Sequence, residues 1–212
     1  MLQIESIALP PVGTNAYLVT RKGSDEALLV DAPLQAWTWA QDQAGLTDKR
    51  IVACLMTHGH WDHTLGGHAV NAAGVPVYGH PDDRTLFEQP SVMSDFSLPG
   101  LTMRPMQVDH WVTPADELEF LGLRCELRHV PGHCPGSLLF WFPEARAAFV
   151  GDAIFAGSIG RTDLPLGDHA VLERSIREQI YTLPPETVLY PGHGPETTVA
   201  REAVSNPFVR AE

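Results

Sequence analysis

Short apolar or alternating runs recur along this chain and predict a fold rich in β-strands. The first three, at 2–9, 15–20 and 26–31, are separated by segments containing Pro, Gly and Asp, which favour turns. Two further runs, at 51–56 and 75–79, extend this group of predicted strands. A second group follows later in the chain, at 117–121, 123–130, 137–142, 147–151 and 187–191.

Apolar residues at helical spacing predict helices beside both groups of strands. The segment 34–44 carries Leu34, Trp37 and Ala44 along one side, with Gly45 as its stop. The other predicted helices lie at 64–73 before Gly74, from Pro81 onward, at 171–183 with Asp168 as N-cap, and at about 196–204. Residues 89–104, with Met93 and Phe96, are interpreted as an irregular loop that walls a substrate pocket.

The order of these elements predicts the fold class. Strands, helices, strands and helices follow one another, and no linker is long enough to separate two domains. We therefore expect an α/β (α+β) chain in which two sheets pack face to face with helices outside, a single domain of four layers over residues 1–212. Four aromatic residues are interpreted as packing residues of this fold: Trp61, Phe155, Tyr190 and Phe208.

The stretch after the run 51–56 is the most distinctive in the chain. A predicted buried strand ends there in a polar turn that holds His58, His60, Asp62 and His63. A strand fixes the backbone, so that the turn can aim imidazole and carboxylate groups at one point. These ligand types suit zinc, with iron or manganese as alternatives. Isolated histidines elsewhere, such as His80, His110 and His169, are interpreted as surface residues in polar loops.

Three more predicted strands end in a residue of ligand type. His133 follows the run 123–130, Asp152 follows 147–151, and His193 follows 187–191, each beside glycine that leaves room for close approach. Each alone is weak evidence, but together with the first cluster they make seven such side chains. Seven are enough for two divalent metal ions that share one carboxylate. Asp31, at the end of another run, is interpreted either as a partner of these residues or as a turn cap.

Composition narrows the class of protein. The formal net charge of −12 argues against a nucleic-acid surface, where a basic patch is expected. No apolar run approaches the ~18 residues of a membrane span, and the N-terminus lacks a signal-peptide pattern. The three scattered cysteines have no CxxC spacing and fit free thiols. We expect a cytoplasmic protein with a small-molecule partner; the oligomeric state is not predicted.

The ligand motifs resemble a known family. His58-Gly-His60-Trp-Asp62-His63, followed in order by His133, Asp152 and His193, is similar to the metallo-β-lactamase-fold hydrolase superfamily. Several segments resemble its short bacterial glyoxalase II-like (hydroxyacylglutathione hydrolase-like) proteins: Pro131-Gly-His133, Gly151-Asp152-Ala-Ile-Phe, Gly160-Arg161-Thr162-Asp163, Pro191-Gly-His193-Gly-Pro and Ser205-Asn-Pro-Phe. The resemblance implies an αββα sandwich with its site at one edge of the two sheets.

The resemblance also implies which residues hold the metals. His58, His60 and His133 would hold the first ion, and Asp62, His63 and His193 the second, with Asp152 bridging. The chain departs from the family at Cys134, where a Thr is usual, and we interpret this thiol as a small filler. It also has no counterpart of the helical C-terminal segment with which full-length glyoxalase II enzymes bind glutathione.

Two metals predict a hydrolytic mechanism. They lower the pKa of bound water from 15.7 toward ~7, and we predict that a metal-bridging hydroxide, oriented by Asp62 and Asp152, attacks an acyl carbon. A thiol with a pKa near ~8.5 leaves readily, whereas an amine needs a proton donor. No spare Glu, Lys or Tyr in the ligand motifs is marked as that donor, and a donor from a loop stays an alternative. The expected substrate is therefore a thioester such as S-lactoylglutathione, or an activated ester.

Two questions stay open at the level of sequence. Arg161 is interpreted either as the group that pairs with a substrate carboxylate or as a structural partner of Asp163. The alternative function is a persulfide dioxygenase with one iron on His58, His133 and Asp152, which shares the Gly-Arg-Thr-Asp stretch; a lactone or ester hydrolase is a further alternative. His193-Gly-Pro favours the hydrolase, and a count of metal ions would distinguish them.

Overall fold

A computed structural model describes residues 1–211, and within them it has fourteen strands and six α-helices. The strands are β1 Leu2–Leu9, β2 Thr14–Arg21, β3 Glu26–Val30, β4 Arg50–Leu55, β5 Val77–Gly79, β6 His110–Trp111, β7 Leu118–Phe120, β8 Leu123–His129, β9 Leu138–Phe142, β10 Ala147–Gly151, β11 Ile154–Phe155, β12 Ser158–Ile159, β13 Val188–Pro191 and β14 Thr197–Thr198. The helices are α1 Ala36–Leu46, α2 Trp61–Thr64, α3 Gly67–Ala72, α4 Arg84–Glu88, α5 His169–Ser175 and α6 Val199–Ser205. Short 3-10 helices lie at Pro81–Asp83, Pro90–Phe96 and Pro143–Ala145.

The strands form two six-stranded mixed sheets and one small hairpin. The first sheet has the order β1-β2-β3-β4-β5-β6, and the second has the order β14-β13-β10-β9-β8-β7. In the first sheet β1, β2 and β3 are antiparallel, while β3, β4, β5 and β6 run parallel. In the second, β10 and β13 are parallel and the other pairs antiparallel. Strands β11 and β12 pair with each other as the hairpin.

The central strands of both sheets are buried on both faces, which explains their continuous apolar runs. Along β2, Leu18 packs into a core under the helices, whereas Tyr17 and Val19 face the other way. The core that contains Tyr17 also contains Phe140 and Phe149 from the second sheet. This shared core lies between the two sheets and joins them.

Helices cover the outer faces and complete four layers. Helices α1 and α3 pack Ala36, Ala40 and Val70 against the first sheet. Helix α5 packs Leu172 on the second sheet, next to Ala148. The predicted αββα sandwich is confirmed. No helix within residues 1–211 is both long enough and apolar enough to cross a membrane.

Several predicted boundaries were wrong. Helix α1 runs past Gly45 to Leu46, and the chain leaves the helix at Thr47, whose hydroxyl donates to the Ala44 carbonyl at 3.1 Å. The predicted helix 171–183 is α-helical only to Ser175. It continues as a π-helical turn over Ile176–Ile180, closed by the hydrogen bond from Tyr181 N to Ile176 O.

Two further predictions were wrong. Phe208 is 55% exposed rather than buried in a core. The first part of the 89–104 loop is not irregular, since Pro90–Phe96 forms a 3-10 helix. The three cysteines, Cys54, Cys125 and Cys134, are free and buried, as predicted.

Candidate metal centre

Four strand ends bring seven ligand-type side chains to one edge of the sandwich. The chain leaves β4 toward His58 and His60, β8 toward His133, β10 toward Asp152 and β13 toward His193. Asp62 and His63 were predicted to lie in an irregular turn, but they lie on the single helical turn α2. The ligand atoms form three groups in which all atoms lie within 4.8 Å of one another: His58, His60 and His133; His58, His63 and Asp152; and Asp62, His63 and His193.

The first group, called here the three-histidine trio, consists of His58, His60 and His133. His60 Nδ1 lies 2.8 Å from His133 Nε2. The other ring nitrogen of His133, Nδ1, lies 2.8 Å from the Arg161 carbonyl oxygen and donates to it. His58 Nδ1 is 3.1 Å from the Thr57 hydroxyl. Neutral groups of the protein therefore fix the ring orientations of His58 and His133.

The second group, called here the carboxylate trio, consists of Asp62, His63 and His193. Asp62 Oδ2 lies 3.2 Å from His193 Nε2 and 3.5 Å from His63 Nε2. The Thr14 hydroxyl donates to the same oxygen at 2.8 Å. His63 Nδ1 lies 2.8 Å from Asp31 Oδ2, which fixes the His63 ring with Nε2 toward the trio.

Asp152 lies between the two trios. Its Oδ1 is 3.3 Å from His63 Nε2, and its Oδ2 is 3.6 Å from His133 Nε2 and 3.5 Å from His193 Nε2. A carboxylate in this position contacts ligands of both trios. That is the place expected for a bridging ligand, although metal binding by these seven residues stays a prediction.

Unpaired polar atoms test whether these residues fit a cation. His58 Nε2, His63 Nε2 and Asp152 Oδ1 are buried and have no hydrogen-bond partner within residues 1–211. Buried polar atoms normally have partners, and a bound cation would supply one. Gly192 adds a second sign, because a Cβ there would overlap Asp152 Oδ1 and come within 2.6 Å of His63 Cε1. The donor set and the space around it therefore fit divalent metal ions.

The electrostatics of the two trios differ. Burial, followed by the neighbouring His133, lowers the pKa of His60 to about 3, and burial also lowers the pKa of His58 well below its usual value. For His63, burial lowers the pKa, but the carboxylates of Asp62, Asp152 and Asp31 outweigh it and raise the pKa. His58 and His60 are thus held neutral, which is the form that binds metal.

The carboxylates stay ionised despite their burial. Burial raises the pKa of Asp62, but His63 and the hydrogen bonds from His193 and Thr14 outweigh it, so that the pKa lies below its usual value. The pKa of Asp152 is lowered in the same way, by His63 above all, against the effect of burial.

Asp31 is a partner of the site, one of the two interpretations open from its sequence. Besides His63, its carboxylate accepts hydrogen bonds from the backbone N–H and the hydroxyl of Thr57, at 2.8 Å each to the nearer oxygen. Its φ of 59° is in the left-handed region, which Asp tolerates better than most residues. This backbone turn at the end of β3 directs the side chain back under the metal ligands.

Strand β2 holds the loop that carries His193. Asn15 Nδ2 donates to the Pro191 carbonyl at 3.0 Å and to the Gly194 carbonyl at 2.9 Å. The Tyr17 hydroxyl donates to the Pro191 carbonyl at 2.6 Å. Sequence reasoning missed both residues, because nothing in a run of strand formers marks which polar side chains will meet a loop some 175 residues later.

A fourth group of ligand-type residues lies apart from these trios. His80 and His129 stack with ring centroids 4.2 Å apart, near Asp82. His80 Nδ1 accepts from the Asp82 backbone N–H at 3.2 Å, and His129 Nε2 donates to the Pro135 carbonyl at 2.6 Å. Hydrogen bonds within the protein engage one nitrogen of each ring, which fits a structural role for the pair. The interpretation of His80 as a surface histidine was wrong, because the residue is buried.

A cavity of about 400 Å³ opens onto the trios. Its walls are mostly apolar, and they are formed by Val12, Trp61, Met93, Phe96, Phe155, Ile159 and Leu164 together with His60, Asp62, His133, Asp152, Arg161 and His193. Met93 and Phe96 come from the segment 89–104, as predicted. Phe155 was predicted to be core, but the two-residue strand β11 places it at the cavity, with its ring 6.0 Å from that of His193.

Arg161 lines this cavity but is already paired. Its Nε and Nη2 donate to the two carboxylate oxygens of Asp163 at 2.7 and 2.8 Å. Of the two interpretations from sequence, the structure shows the pair with Asp163. Its contact with a substrate stays a prediction.

Comparisons with known proteins agree with this architecture. The family model of the Metallo-beta-lactamase superfamily matches residues 9–193. A hydroxyacylglutathione hydrolase, GloC of Haemophilus influenzae, is 37% identical over 169 residues, which are 78% of this chain and 79% of that protein. The crystal structure of the B3 metallo-beta-lactamase BLEG-1 is similar with a TM-score of 0.89, at 33% identity, over 97% of this chain and 99% of that one.

A further solved structure bears on the metal. TTHA1623 in a di-iron-bound form is similar with a TM-score of 0.82, at 33% identity, over 97% of this chain and all of that chain. The fold, the convergent ligand-type residues and the match to the family model over most of the sequence agree. The chain is a metallo-hydrolase that belongs to the Metallo-beta-lactamase superfamily.

Proposed function

We propose that this protein hydrolyses thioesters of the S-lactoylglutathione type, or activated esters, at a pair of divalent metal ions. One observation supports this substrate class over an amide. Apart from the candidate ligands, Arg161 is the one titratable side chain among the cavity-lining residues of the described chain. A guanidinium does not give up its proton. The cavity therefore offers little to protonate a departing amine, whereas a thiolate leaves without help.

The seven candidate ligands fit two ions. His58, His60 and His133 would hold one, Asp62, His63 and His193 the other, and Asp152 would contact both. When bound, such ions supply a water of lowered pKa and polarise the acyl carbonyl. Zinc suits this set of imidazole and carboxylate ligands, and iron or manganese also suits it. The di-iron form of TTHA1623 supports iron as an alternative for this chain.

The carboxylates of the site handle the proton of the attacking water. Asp62 and Asp152 both line the cavity, and ionised carboxylates only accept hydrogen bonds. The Thr14 hydroxyl occupies Asp62 Oδ2. We therefore assign Asp62 Oδ1 as the atom that accepts the proton, with Asp152 orienting the water between the trios.

The apolar walls bind the acyl group and exclude bulk water. Trp61, Met93 and Phe155 are among the apolar residues that line the cavity. Removing water strengthens the electrostatic contacts inside such a site. The walls thus favour a compact acyl group next to the candidate metal ligands.

Thiol release from S-lactoylglutathione tests the proposal directly. The metal-loaded protein should release thiol faster than it cleaves an oxygen ester with the same acyl group, and much faster than it opens a β-lactam amide. Asp62→Asn should remove most of the activity while leaving the fold unchanged by circular dichroism. Faster cleavage of the β-lactam than of the thioester would contradict the proposal.

Metal analysis separates this function from the alternative. Two ions per chain are expected for the hydrolase. One iron per chain, with oxygen consumption on glutathione persulfide, would instead identify the persulfide dioxygenase.

A further inference from the structure

Asp83 is a buried carboxylate that the proposed reaction does not use. It ends the 3-10 helix Pro81–Asp83 behind the metal centre and is fully buried. Its Oδ2 accepts hydrogen bonds from Gly59 N at 2.8 Å and from Cys134 Sγ at 3.0 Å, and its Oδ1 accepts from Gly136 N at 2.6 Å. Two backbone N–H groups and a thiol thus converge on one acceptor-only group.

The two loops that meet at Asp83 come from different sheets. Gly59 stands between His58 and His60, after β4 of the first sheet. Cys134 directly follows His133, after β8 of the second sheet. One carboxylate is therefore bonded to both loops that carry the three-histidine trio.

The packing around Asp83 leaves the loops little freedom. A Cβ at Gly59 would lie 2.7 Å from Leu86 Cβ and 3.3 Å from Asp83 Cβ. A Cβ at Gly136 would lie 2.6 Å from Asp83 Cγ. Both loops therefore rest directly on the Asp83 side chain, and their separation depends on it.

We propose that Asp83 is a positioning residue that sets the distance between the His58–His60 loop and His133, and thereby the metal affinity of the three-histidine trio. The inference rests on the proposed metal centre. Asp83 makes no side-chain hydrogen bond to the helical turn α2, which carries Asp62 and His63, or to the loop of His193 within the described residues. Asp31 and Thr14 hold the carboxylate trio instead. A change at Asp83 should therefore affect one trio and spare the other.

Cys134 takes part in the contact between the two histidine loops and Asp83. Its thiol lies 3.0 Å from Asp83 Oδ2. A protonated thiol can donate to Asp83 Oδ2, although it is a weak donor. The residue interpreted from sequence as a filler is thus also part of the contact between the loops.

Asp83→Asn tests the proposal with little change of volume. The amide keeps one acceptor but turns an N–H₂ group toward one of the three donors. Two metal dissociation constants should be measured by competition with a chromophoric chelator, and anomalous diffraction should assign occupancy to each trio. We expect affinity in the three-histidine trio to fall by about 10-fold to 100-fold, as for other residues that orient metal ligands. Metal affinity in the carboxylate trio should change by less than about 3-fold, because other residues orient the ligands of that trio.

Glu202→Gln is the matched control. Glu202 is likewise fully buried and accepts hydrogen bonds from Gly157 N, Thr197 Oγ1 and Asn206 Nδ2, away from both histidine loops. Glu202→Gln and Asp83→Asn should both lower the unfolding temperature of the metal-free protein. Glu202→Gln should leave the metal affinity of both trios unchanged. Equal weakening of both metals in the two variants would overturn the proposal, because it would show a purely structural effect.

A second pair of variants keeps the test valid should Asp83→Asn fail to fold. Cys134→Ser retains a donor of nearly the same size, whereas Cys134→Ala removes it. Only Cys134→Ala should lower the metal affinity of the three-histidine trio. A loss of affinity in both variants, or in neither, would contradict the role of this contact. A wild-type protein that binds no metal would instead refute the metal centre itself.

Discussion

The three-histidine trio and the carboxylate trio lie side by side, yet the protein holds them by different means. His58 and His133 are oriented by a hydroxyl and a backbone carbonyl, those of Thr57 and Arg161. His63 is oriented by the carboxylate of Asp31. A carboxylate partner raises the basicity of a histidine ligand more than a neutral partner does.

This difference determines the charge that each trio presents to a cation. Around His63 stand Asp31, Asp62 and Asp152, whose negative charges a divalent ion would compensate. In the three-histidine trio, His58 and His60 present neutral rings, so its affinity depends more on the direction and spacing of its nitrogens. Preorganisation should therefore matter most in the three-histidine trio, and charge in the carboxylate trio.

Removal of metal from both trios should have the largest effect. Dialysis against a chelator should lower thioester hydrolysis by on the order of 10³-fold or more, because water then keeps its ordinary pKa. It should also lower the free energy of unfolding, by about 2.7 kcal/mol for a metal formerly present at 100 times its dissociation constant. Thiol release and thermal unfolding measure the two effects, and added zinc should restore both. Full activity in the chelated protein would refute the metal centre.

Gly192→Ala should disrupt the carboxylate trio more than the three-histidine trio. The added methyl group would overlap Asp152 Oδ1 and crowd His63, and the atoms nearest to it all belong to these two residues. We expect metal affinity in the carboxylate trio to fall by about 100-fold, near the upper end for a displaced ligand. Competition titration with a chelator measures it.

Gly194→Ala is the control for this change. It lies on the other side of His193, has a φ of +74° and has open space where its Cβ would stand. It should cost about 1–2 kcal/mol of backbone strain with little loss of metal affinity. If Gly192→Ala and Gly194→Ala lower the metal affinity equally, the cause is backbone strain in the loop and not the overlap of a methyl group with Asp152.

The sequence predicts the members of both trios but not the means by which each is held. Ligand-type residues beside glycine at strand ends are visible as residue types, and the strand ends do meet at one edge of the sandwich. The contacts of Asp83 join it to residues 24 and 53 positions away, and no spacing marks such pairs. Its sequence, Pro81-Asp-Asp-Arg, is equally typical of an ordinary helix start.

Short elements account for the remaining errors. Helix α2 is a single turn of four residues, too brief for apolar periodicity to predict. The hairpin of β11 and β12 has two residues in each strand, and it directs Phe155 toward the cavity rather than into the core. Apolar periodicity predicts long elements with one buried face. Helix α2 and the hairpin of β11 and β12 are too short to show such a pattern.

Asp31→Asn should have an intermediate effect, through His63. An amide oxygen is a weaker acceptor for the His63 N–H than the charged carboxylate of Asp31. We therefore expect the metal affinity of the carboxylate trio to fall by about 10-fold. Thr57→Val is the matched variant, since it removes the hydroxyl that contacts both Asp31 and His58. Asp31 keeps its hydrogen bond from Thr57 N, so this variant should lower metal affinity more in the three-histidine trio than in the carboxylate trio. A titration in which Asp31→Asn weakens mainly the three-histidine trio would reverse the comparison drawn above.

Asp163→Asn should have the smallest effect, and it separates two functions of Arg161. The Arg161 carbonyl accepts from His133, while its guanidinium is paired with Asp163 at the cavity. Loss of the Asp163 charge frees the guanidinium without changing that carbonyl. Since exposed ion pairs contribute little, we expect the KM for S-lactoylglutathione to fall by about 2-fold to 3-fold. The KM for an uncharged thioester and the metal affinity of the three-histidine trio should stay constant. An equal change in KM for both substrates would show that Arg161 does not meet a substrate carboxylate, and that only its backbone serves the site.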